Sequence, residues 1–200
     1  MRDVPAAIAA KLPAAAAVIA DRGLDDTKIE DLAAAAGVPK ATLYYYFAGK
    51  QEILAFLLRD LLHRLHDEVT IATAAPGGCR ERLASVMGAQ LTIMFEQPDV
   101  CRALVGDLGR AARMPEVTAM IDRAFIDPVE ELLREGGADG CFRSDSAARA
   151  TAIAIFGALS MTGLAHLSSG DSWSVAESTD RLVALFLDGI TSTASHQKGT

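Results

Sequence analysis

The sequence predicts an all-α fold of about nine helices, three in an N-terminal domain and six in a larger C-terminal domain. Half of the 200 residues are hydrophobic, but only 6% are aromatic. Alanine and leucine are frequent and runs of β-branched residues are few, a composition that favours helices. Apolar residues recur three and four positions apart along most of the chain, which is the spacing of amphipathic helices.

Two short helices are predicted at the start of the chain. The first should end before Gly23. Pro13 either begins this helix or kinks it, because a proline in a helix interior removes a hydrogen bond and costs about 3 kcal/mol. Thr27 and Glu30 have the spacing of a capping box at the start of the second helix. Gly37 supplies the left-handed residue that ends it.

A third helix follows directly, and a long fourth helix comes after it. Pro39 suits the first turn of the third helix, where its missing N–H would be unpaired in any case. Leu43 and Phe47, four positions apart, should hold the inner face of this helix. Gly49 then precedes a helix predicted over residues 50–70. We therefore expect residues 1–50 to form the N-terminal domain.

Residues 51–190 are predicted to form the second domain, and residues 191–200 a flexible tail. After the fourth helix, five more are expected, over residues 79–96, 98–110, 115–135, 145–167 and 174–190. The APGG sequence at residues 75–78 marks the clearest break between helices. Pro128 should kink the helix in which it lies, and Ser174 with Glu177 repeats the capping-box pattern.

The charge distribution neither requires nor excludes a nucleic-acid partner. The net charge is −7 and the pI about 5.1, whereas nucleic-acid-binding proteins usually carry an excess of basic residues. Residues 1–50 hold six basic and six acidic residues, so the excess of acid lies in the rest of the chain. Between Asp31 and Glu52 there is no acid, only Lys40 and Lys50. DNA binding would therefore depend on a few well-placed contacts and on dimerisation.

Cysteine usage and hydropathy bear on location. Cys79, Cys101 and Cys141 are odd in number and form no CxxC pair, so neither a disulfide framework nor a zinc site is expected. No signal-peptide pattern begins the sequence, and a cytoplasmic location is expected. Residues 150–170 carry no charge and are long enough to cross a bilayer. Their glycine, serine, threonine and histidine content favours a helix buried in an interface instead.

Residues 27–50, TKIEDLAAAAGVPKATLYYYFAGK, have the pattern of a helix-turn-helix that reads DNA. This segment resembles the DNA-binding domain of the tetracycline-repressor-like (TetR) family of bacterial transcription regulators. The resemblance is carried by the Gly37-Val38-Pro39-Lys40 turn and by the LYYYF run of residues 43–47. Three consecutive tyrosines cannot all face one core, because neighbours on a helix point about 100° apart. At least one must therefore be exposed for contact.

The resemblance implies which residues contact DNA. Lys40, Ala41, Thr42 and Tyr45 would lie nearest the bases. The remaining candidates would hold the phosphate backbone, and they are Thr27, Tyr44, Tyr46 and Lys50. Thr27 and Lys50 stand at predicted helix N-termini, where backbone amides favour a phosphate.

The resemblance also implies a homodimer that pairs through the last two helices, and a small apolar or aromatic effector bound among the helices before them. An intramolecular core is the alternative for the last two helices. Each candidate effector residue could likewise be ordinary core. These candidates are Met87, Gln90, Leu91, Met94, Phe95, Cys101, Leu104, Met120, Phe125, Phe156 and His166. Arg102, Arg110 and Arg113 could instead suit an anionic head group, and the alternative is that they are solvated on an acidic helical surface.

The predicted function is a ligand-responsive repressor of a near-palindromic operator. The alternative is a ligand-binding or protein-docking helical module whose helix-turn-helix is vestigial. No metal or cofactor is expected, because His63 and His66 lack further ligands nearby. No catalytic triad, nucleophile elbow or phosphate-binding loop is found, so enzyme activity is not expected.

Overall fold

The computed structural model describes residues 3–106, 114–143, 147–169 and 174–188, and every regular element within them is helical. The first four helices are α1 (Ala6–Ala9), α2 (Ala14–Asp26), α3 (Ile29–Ala36) and α4 (Lys40–Tyr46). The next three are α5 (Lys50–Ala74), α6 (Cys79–Glu96) and α7 (Pro98–Gly106). The last four are α8 (Pro115–Ile121), α9 (Asp127–Ala138), α10 (Ala148–Ser169) and α11 (Val175–Asp188). This confirms the predicted all-α fold.

Pro13 begins a helix rather than kinking one. It immediately precedes α2, and the short α1 lies before it. The helical backbone is interrupted at Gly23, as predicted, and one further turn at residues 24–26 follows it. Gly23 has φ 76° and ψ 158°, a conformation that suits glycine, and it bends the chain so that Leu24 returns to the core.

Thr27 does not cap the next helix as predicted. Its hydroxyl donates a hydrogen bond of 2.7 Å to the carbonyl oxygen of Gly23, and the residue is 1% exposed. Lys28 stands at the N-cap instead, and its backbone N–H donates to the Asp31 carboxylate at 3.2 Å. The bend at Gly23 presents a carbonyl oxygen that the nearby hydroxyl can satisfy, which turns the threonine inward.

The helix containing Pro128 adapts to the proline without a break. A π-helical turn, Asp122–Ile126, joins α8 to α9 just before it. Such a turn accommodates the backbone hydrogen bond that proline cannot donate. The helix also continues past its predicted end at residue 135. At Gly136 the Phe142 ring occupies the space that a Cβ would fill.

The C-terminal helices follow the prediction closely. Ser174 and Glu177 form the predicted capping box at the start of α11. The Ser174 N–H donates to the Glu177 carboxylate at 2.8 Å, and the Glu177 N–H donates to the Ser174 hydroxyl at 3.2 Å. The predicted tail at residues 191–200, and the predicted helix end at residues 107–110, lie outside the described residues.

One disulfide contradicts the expectation drawn from cysteine usage. Cys79, the first residue of α6, is bonded to Cys141 in the loop between α9 and α10, with a Cα–Cα distance of 6.5 Å. The two residues are 62 positions apart, so only the packing of α6 against that loop brings them together. Cys101 is free and buried.

The hydrophobic core is continuous. Buried side chains form one cluster that runs from Leu12 in the N-terminal region to Val183 in α11. The long helix α5 contributes to it along its whole length, from Ile53 to Ala72. No gap in the core marks a boundary at residue 50, so the division into two domains stays a prediction.

Helix α10 is apolar yet poorly covered. Residues 148–167 have a mean hydropathy of 1.5 and are long enough to cross a membrane by length and composition alone. Only 22% of this stretch is buried within the chain. Ile153 and Met161 are each more than half exposed. The single chain therefore leaves an apolar surface on this helix without a cover.

Candidate nucleic-acid interface and apolar cavity

A tight turn fixes α4 against α3. Gly37 adopts φ 59° and ψ 37°, a left-handed conformation that ends α3 and that glycine adopts with little strain. On the inner face of α4, Leu43 and Phe47 are at most 1% exposed, and the Phe47 ring meets the Phe56 ring edge-on at 5.7 Å. This inner face holds the short helix in place as the sequence predicted.

The outer face of α4 presents aromatic side chains to solvent. Tyr44 is 53% and Tyr45 59% exposed. Tyr46 is half-buried, packs against the core, and meets the Tyr45 ring edge-on at 4.9 Å. Lys40 and Ala41 are exposed and Thr42 is partly so. Six of the eight predicted DNA contacts thus lie on one seven-residue helix, whose inner face is buried and whose outer face is exposed.

Lys40 carries an acidic partner that the sequence did not reveal. Its ammonium group is hydrogen-bonded to the Glu30 carboxylate of α3, and both side chains are about half exposed. This contact raises the pKa of Lys40 and lowers the pKa of Glu30. The Lys40 Nζ also lies 5.6 Å from the centre of the Tyr44 ring, within range of a cation–π contact.

Two predicted phosphate contacts have other roles in this conformation. Thr27 is buried, so its hydroxyl is not presented to a phosphate. The Lys50 Nζ donates to the carbonyl oxygens of Asp25 at 2.7 Å and Thr27 at 3.1 Å. Lys50 therefore ties the start of α5 to the junction of α2 and α3.

A small apolar cavity of about 30 Å³ lies between α5, α6, α7 and α10. Five predicted effector residues line it, and they are Gln90, Met94, Cys101, Leu104 and Phe156. The lining residues that sequence reasoning missed are Leu61, Leu62, Leu65, Ile93, Val105 and Ser160. The three leucines belong to the apolar stripe of α5. Such a stripe predicts only that the helix packs against another helix. It does not indicate whether the leucines also line a cavity.

The other predicted effector residues lie outside this lining. Met87, Leu91 and Phe125 are fully buried core. Phe95 and Met120 are partly buried against the core, and the His166 ring packs against Phe95 with 4.6 Å between ring centres. Helical spacing cannot separate these residues from true lining residues, because both kinds occupy the inner face of a helix.

One polar group in the cavity wall is incompletely paired. Gln90 is 3% exposed, and its Nε2 donates to the Ser160 hydroxyl at 3.0 Å and the Phe156 carbonyl oxygen at 3.4 Å. Because the Phe156 carbonyl oxygen can only accept, the amide atom that faces it must be the Gln90 nitrogen. The buried Gln90 Oε1 has no donor among the described residues.

Burial raises the pKa of the neighbouring Cys101 thiol to about 12, so this thiol stays neutral.

Helix α7 links the cavity to the N-terminal helices. Arg102, beside the lining residue Cys101, donates to the Asp21 carboxylate of α2 at 2.9 Å and to Asp99 at 3.4 Å. The guanidinium predicted to suit an anionic head group is therefore paired with carboxylates. Arg110 and Arg113 lie outside the described residues. Within the part of the chain described, no group of three or more metal-ligating side chains is found.

Comparison with known proteins identifies the family. Residues 12–56 match the family model for bacterial regulatory proteins of the tetR family. The HTH-type transcriptional repressor KstR2 of Mycobacterium tuberculosis (strain CDC 1551) is 30% identical over 143 residues, covering 67% of this chain and 68% of KstR2. The chain belongs to the TetR family. It is accordingly a helix-turn-helix, DNA-binding transcription regulator, which confirms the predicted family and class of function.

Two further comparisons extend this assignment. This TetR-family chain is 29% identical over 112 residues to the HTH-type transcriptional regulator BetI of Rhizobium meliloti. That match spans 56% of the chain and only 55% of BetI. The fold resembles FadR of Bacillus subtilis, solved in complex with stearoyl-CoA, with a TM-score of 0.76 at 20% identity. This likeness covers 90% of the chain and 98% of that structure. The relatives named are regulators rather than enzymes.

Proposed function

We propose that this TetR-family protein is a cytoplasmic homodimeric repressor, whose two α4 helices enter successive major grooves of a near-palindromic operator. The observation that carries the proposal is the two-sided character of α4. Leu43 and Phe47 fix its back in the core, while Tyr44 and Tyr45 stand more than half exposed on its front. An exposed tyrosine pair on a rigidly held helix suits phosphate and groove contacts, because each ring covers surface and each hydroxyl donates.

Dimerisation through α10 and α11 would supply the second half-site contact. Besides Tyr44 and Tyr45, the described residues include four exposed large hydrophobic side chains, and three of them, Ile153, Met161 and Leu185, lie on these two helices. Burying such apolar surface is favourable, and a second copy of the chain provides a matching face. The low burial of α10 speaks against the alternative of an intramolecular core.

The effector would bind in the cavity between α5, α6, α7 and α10. Its wall is apolar apart from Gln90, Ser160 and Cys101, so we infer a mainly apolar ligand with a donor for the Gln90 Oε1. Stearoyl-CoA in the FadR structure makes a fatty acyl thioester the first class to test. The cavity is small, so side chains in its wall must move to admit such a ligand.

Two routes would carry the effect of binding to α4. Helix α5 lines the cavity with Leu61, Leu62 and Leu65, and its first residue, Lys50, holds the junction of α2 and α3. Helix α7 also lines the cavity, and its Arg102 donates to the Asp21 carboxylate of α2. A tilt of either helix would change the separation of the two α4 helices. Coupling of about 1–3 kcal/mol would lower operator affinity roughly 5- to 150-fold.

The test is a selection of genomic fragments with the purified full-length protein at low salt, followed by footprinting of the strongest fragment. A protected near-palindrome, released when stearoyl-CoA is added, would support both halves of the proposal. Protection that persists across acyl-CoA chain lengths would leave the operator assignment standing and overturn the effector class. No enrichment of any fragment would favour the docking module with a vestigial helix-turn-helix.

A further inference from the structure

The Cys79–Cys141 bond joins two residues to which the proposed repressor function gives no role. Cys79 begins α6 and is 8% exposed, whereas Cys141 lies exposed in the loop between α9 and α10. Their Cα atoms are 6.5 Å apart, within the range that a disulfide spans. No sequence motif pairs them.

We propose that Cys79 and Cys141 form a reversible thiol–disulfide pair that hydroperoxides oxidise. The inference rests on the proposed cytoplasmic location, and not on operator binding. Thiols in that compartment are kept reduced, so a disulfide there is usually transient and redox-sensing rather than structural. A pair held at bonding distance by the fold therefore has two accessible states, and the oxidant decides which one is populated.

The surroundings of the two sulfurs favour this chemistry. Cys79 is the first residue of the 18-residue helix α6, and the helix dipole favours a thiolate at that position. The exposed position of Cys141 gives a small oxidant access to its sulfur. Cys101 provides the internal contrast, because burial raises the pKa of its thiol to about 12 and leaves it unreactive at neutral pH.

The reaction balances with a hydroperoxide as the two-electron oxidant. The Cys141 thiolate attacks one peroxide oxygen, the O–O bond breaks, and the departing hydroxide takes up the proton that the Cys141 thiol released, which gives a sulfenic acid and one water. The Cys79 thiolate then attacks the Cys141 sulfur, the S–O bond breaks, and the second hydroxide takes up the proton from the Cys79 thiol and leaves as water while the S–S bond forms. Two thiols are oxidised and one peroxide is reduced to two waters. A dithiol or glutathione reverses the step by thiol–disulfide exchange.

Oxidation would act on a large cavity of about 600 Å³ at this end of the molecule. The loop that carries Cys141 and Phe142 forms one wall, and residues of α6, α9, α10 and the end of α11 form the others. Arg80 of α6 is also paired with Asp188 of α11 through two hydrogen bonds of 3.1 and 3.2 Å. The disulfide thus fixes the loop to the same turn of α6 that holds α11.

The experiment uses the full-length protein, reduced with dithiothreitol, desalted and exposed to an equimolar amount of hydrogen peroxide. After alkylation and digestion, mass spectrometry should find the Cys79 and Cys141 peptides crosslinked and Cys101 alkylated. Reduced glutathione should then restore both thiols. Because the bond closes a loop of 62 residues, the oxidised protein should unfold at a temperature higher by on the order of 10 °C.

The Cys141→Ser and Cys101→Ser variants serve as matched controls. The peroxide-dependent rise in unfolding temperature should disappear in the first and persist in the second. Thiols at 79 and 141 that both remain alkylatable after peroxide would overturn the proposal. So would a disulfide that survives reduced glutathione, which would be a permanent crosslink, or a Cys141 bond between two chains. None of these outcomes depends on whether the protein binds an operator.

Discussion

The ammonium group of Lys40 is hydrogen-bonded to the carboxylate of Glu30, across the turn that joins α3 to α4. The sequence between Asp31 and Glu52 contains no acid, so Lys40 would be expected to face DNA as an uncompensated cation. Folding brings an acid from the preceding helix to it. The contact also holds Lys40 near the Tyr44 ring. Contact between Lys40 and DNA therefore competes with an ion pair inside the protein.

We expect Glu30→Gln to tighten operator binding. The substitution releases Lys40 and removes a negative charge near the DNA, and because the pair is exposed the gain should be modest, roughly two- to fivefold at low salt. Affinity should be measured by fluorescence anisotropy over a range of salt concentrations. In a Lys40→Gln background, the Glu30→Gln substitution should have little effect. An equal gain in both backgrounds would mean that Lys40 does not mediate it.

Tyr44→Ala should weaken operator binding and leave the fold and the dimer unchanged. A hydrogen bond to a phosphate contributes about 1.5–3 kcal/mol, so the loss should be roughly 10- to 150-fold. Tyr44 is more than half exposed, so its removal should barely change the unfolding free energy. Ile71→Ala is the matched control, because Ile71 is 65% exposed but lies near the far end of α5. Equal affinities for the two variants would refute the assignment of α4.

Gly163→Ala should hinder effector binding. A Cβ at this position would lie 2.5 Å from the Cε and 2.7 Å from the Sδ of Met94, so Met94 must shift within the cavity wall. Because these atoms are the far end of a flexible side chain, Met94 should shift with little change in the free energy of unfolding, while the shape of the cavity wall changes. Urea unfolding and titration with stearoyl-CoA would measure both effects. Gly157→Ala on the same helix meets no atom within 4 Å in the protomer. If both variants bind the ligand like the natural protein, the cavity is not the effector site.

Arg102→Gln should weaken the effect of the ligand on DNA binding, without greatly changing operator affinity in its absence. The substitution removes the ion pair to Asp21 that joins α7 to α2. We expect the fold-change in operator affinity on adding ligand to shrink severalfold, by about 0.5–2 kcal/mol of coupling. Arg134→Gln is the control, since among the residues that the structure describes Arg134 pairs within its own helix α9, with Glu130 and Glu131. A coupling that is unchanged in both variants would rule out the α7 route.

Glu177→Gln should lower the unfolding temperature in a pH-dependent way. The Ser174 backbone N–H, and next its hydroxyl, hold the pKa of Glu177 below its ordinary value. A lowered pKa means that the ionised carboxylate stabilises the fold above its unfolded pKa, and that this contribution disappears as the pH falls through the folded pKa. The difference from the natural protein should therefore be constant near neutral pH and vanish in acid. Glu116→Gln, which removes a first-turn charge from α8, should show a smaller difference.

Features encoded within a few neighbouring residues could be predicted from the sequence. The turn at Gly37, the inward anchors Leu43 and Phe47 and the capping box of Ser174 with Glu177 all depend on local spacing. Thr27 shows how a local signal fails. The capping pattern was present, but the bend at Gly23 offered its hydroxyl a nearer acceptor.

Features that depend on helix packing could not be predicted. The Cys79–Cys141 bond joins residues 62 positions apart, and Arg102 pairs with a residue 81 positions away. The contribution of α5 to the cavity wall was missed for the same reason. The spacing of its leucines in the sequence is the same whether they contact another side chain or line a cavity.

The cavity between α5, α6, α7 and α10 has room for about one water molecule, at about 30 Å³. A fatty acyl chain can enter only a rarer, wider form of the protein. The measured affinity is then the intrinsic affinity multiplied by the share of molecules in that form, so a form populated at about 1% weakens binding about a hundredfold. The affinity of an effector would then depend on how far it must displace Met94 and Phe156, as well as on the contacts that it makes. A closed resting site of this kind would raise the ligand concentration at which half of the regulator is occupied.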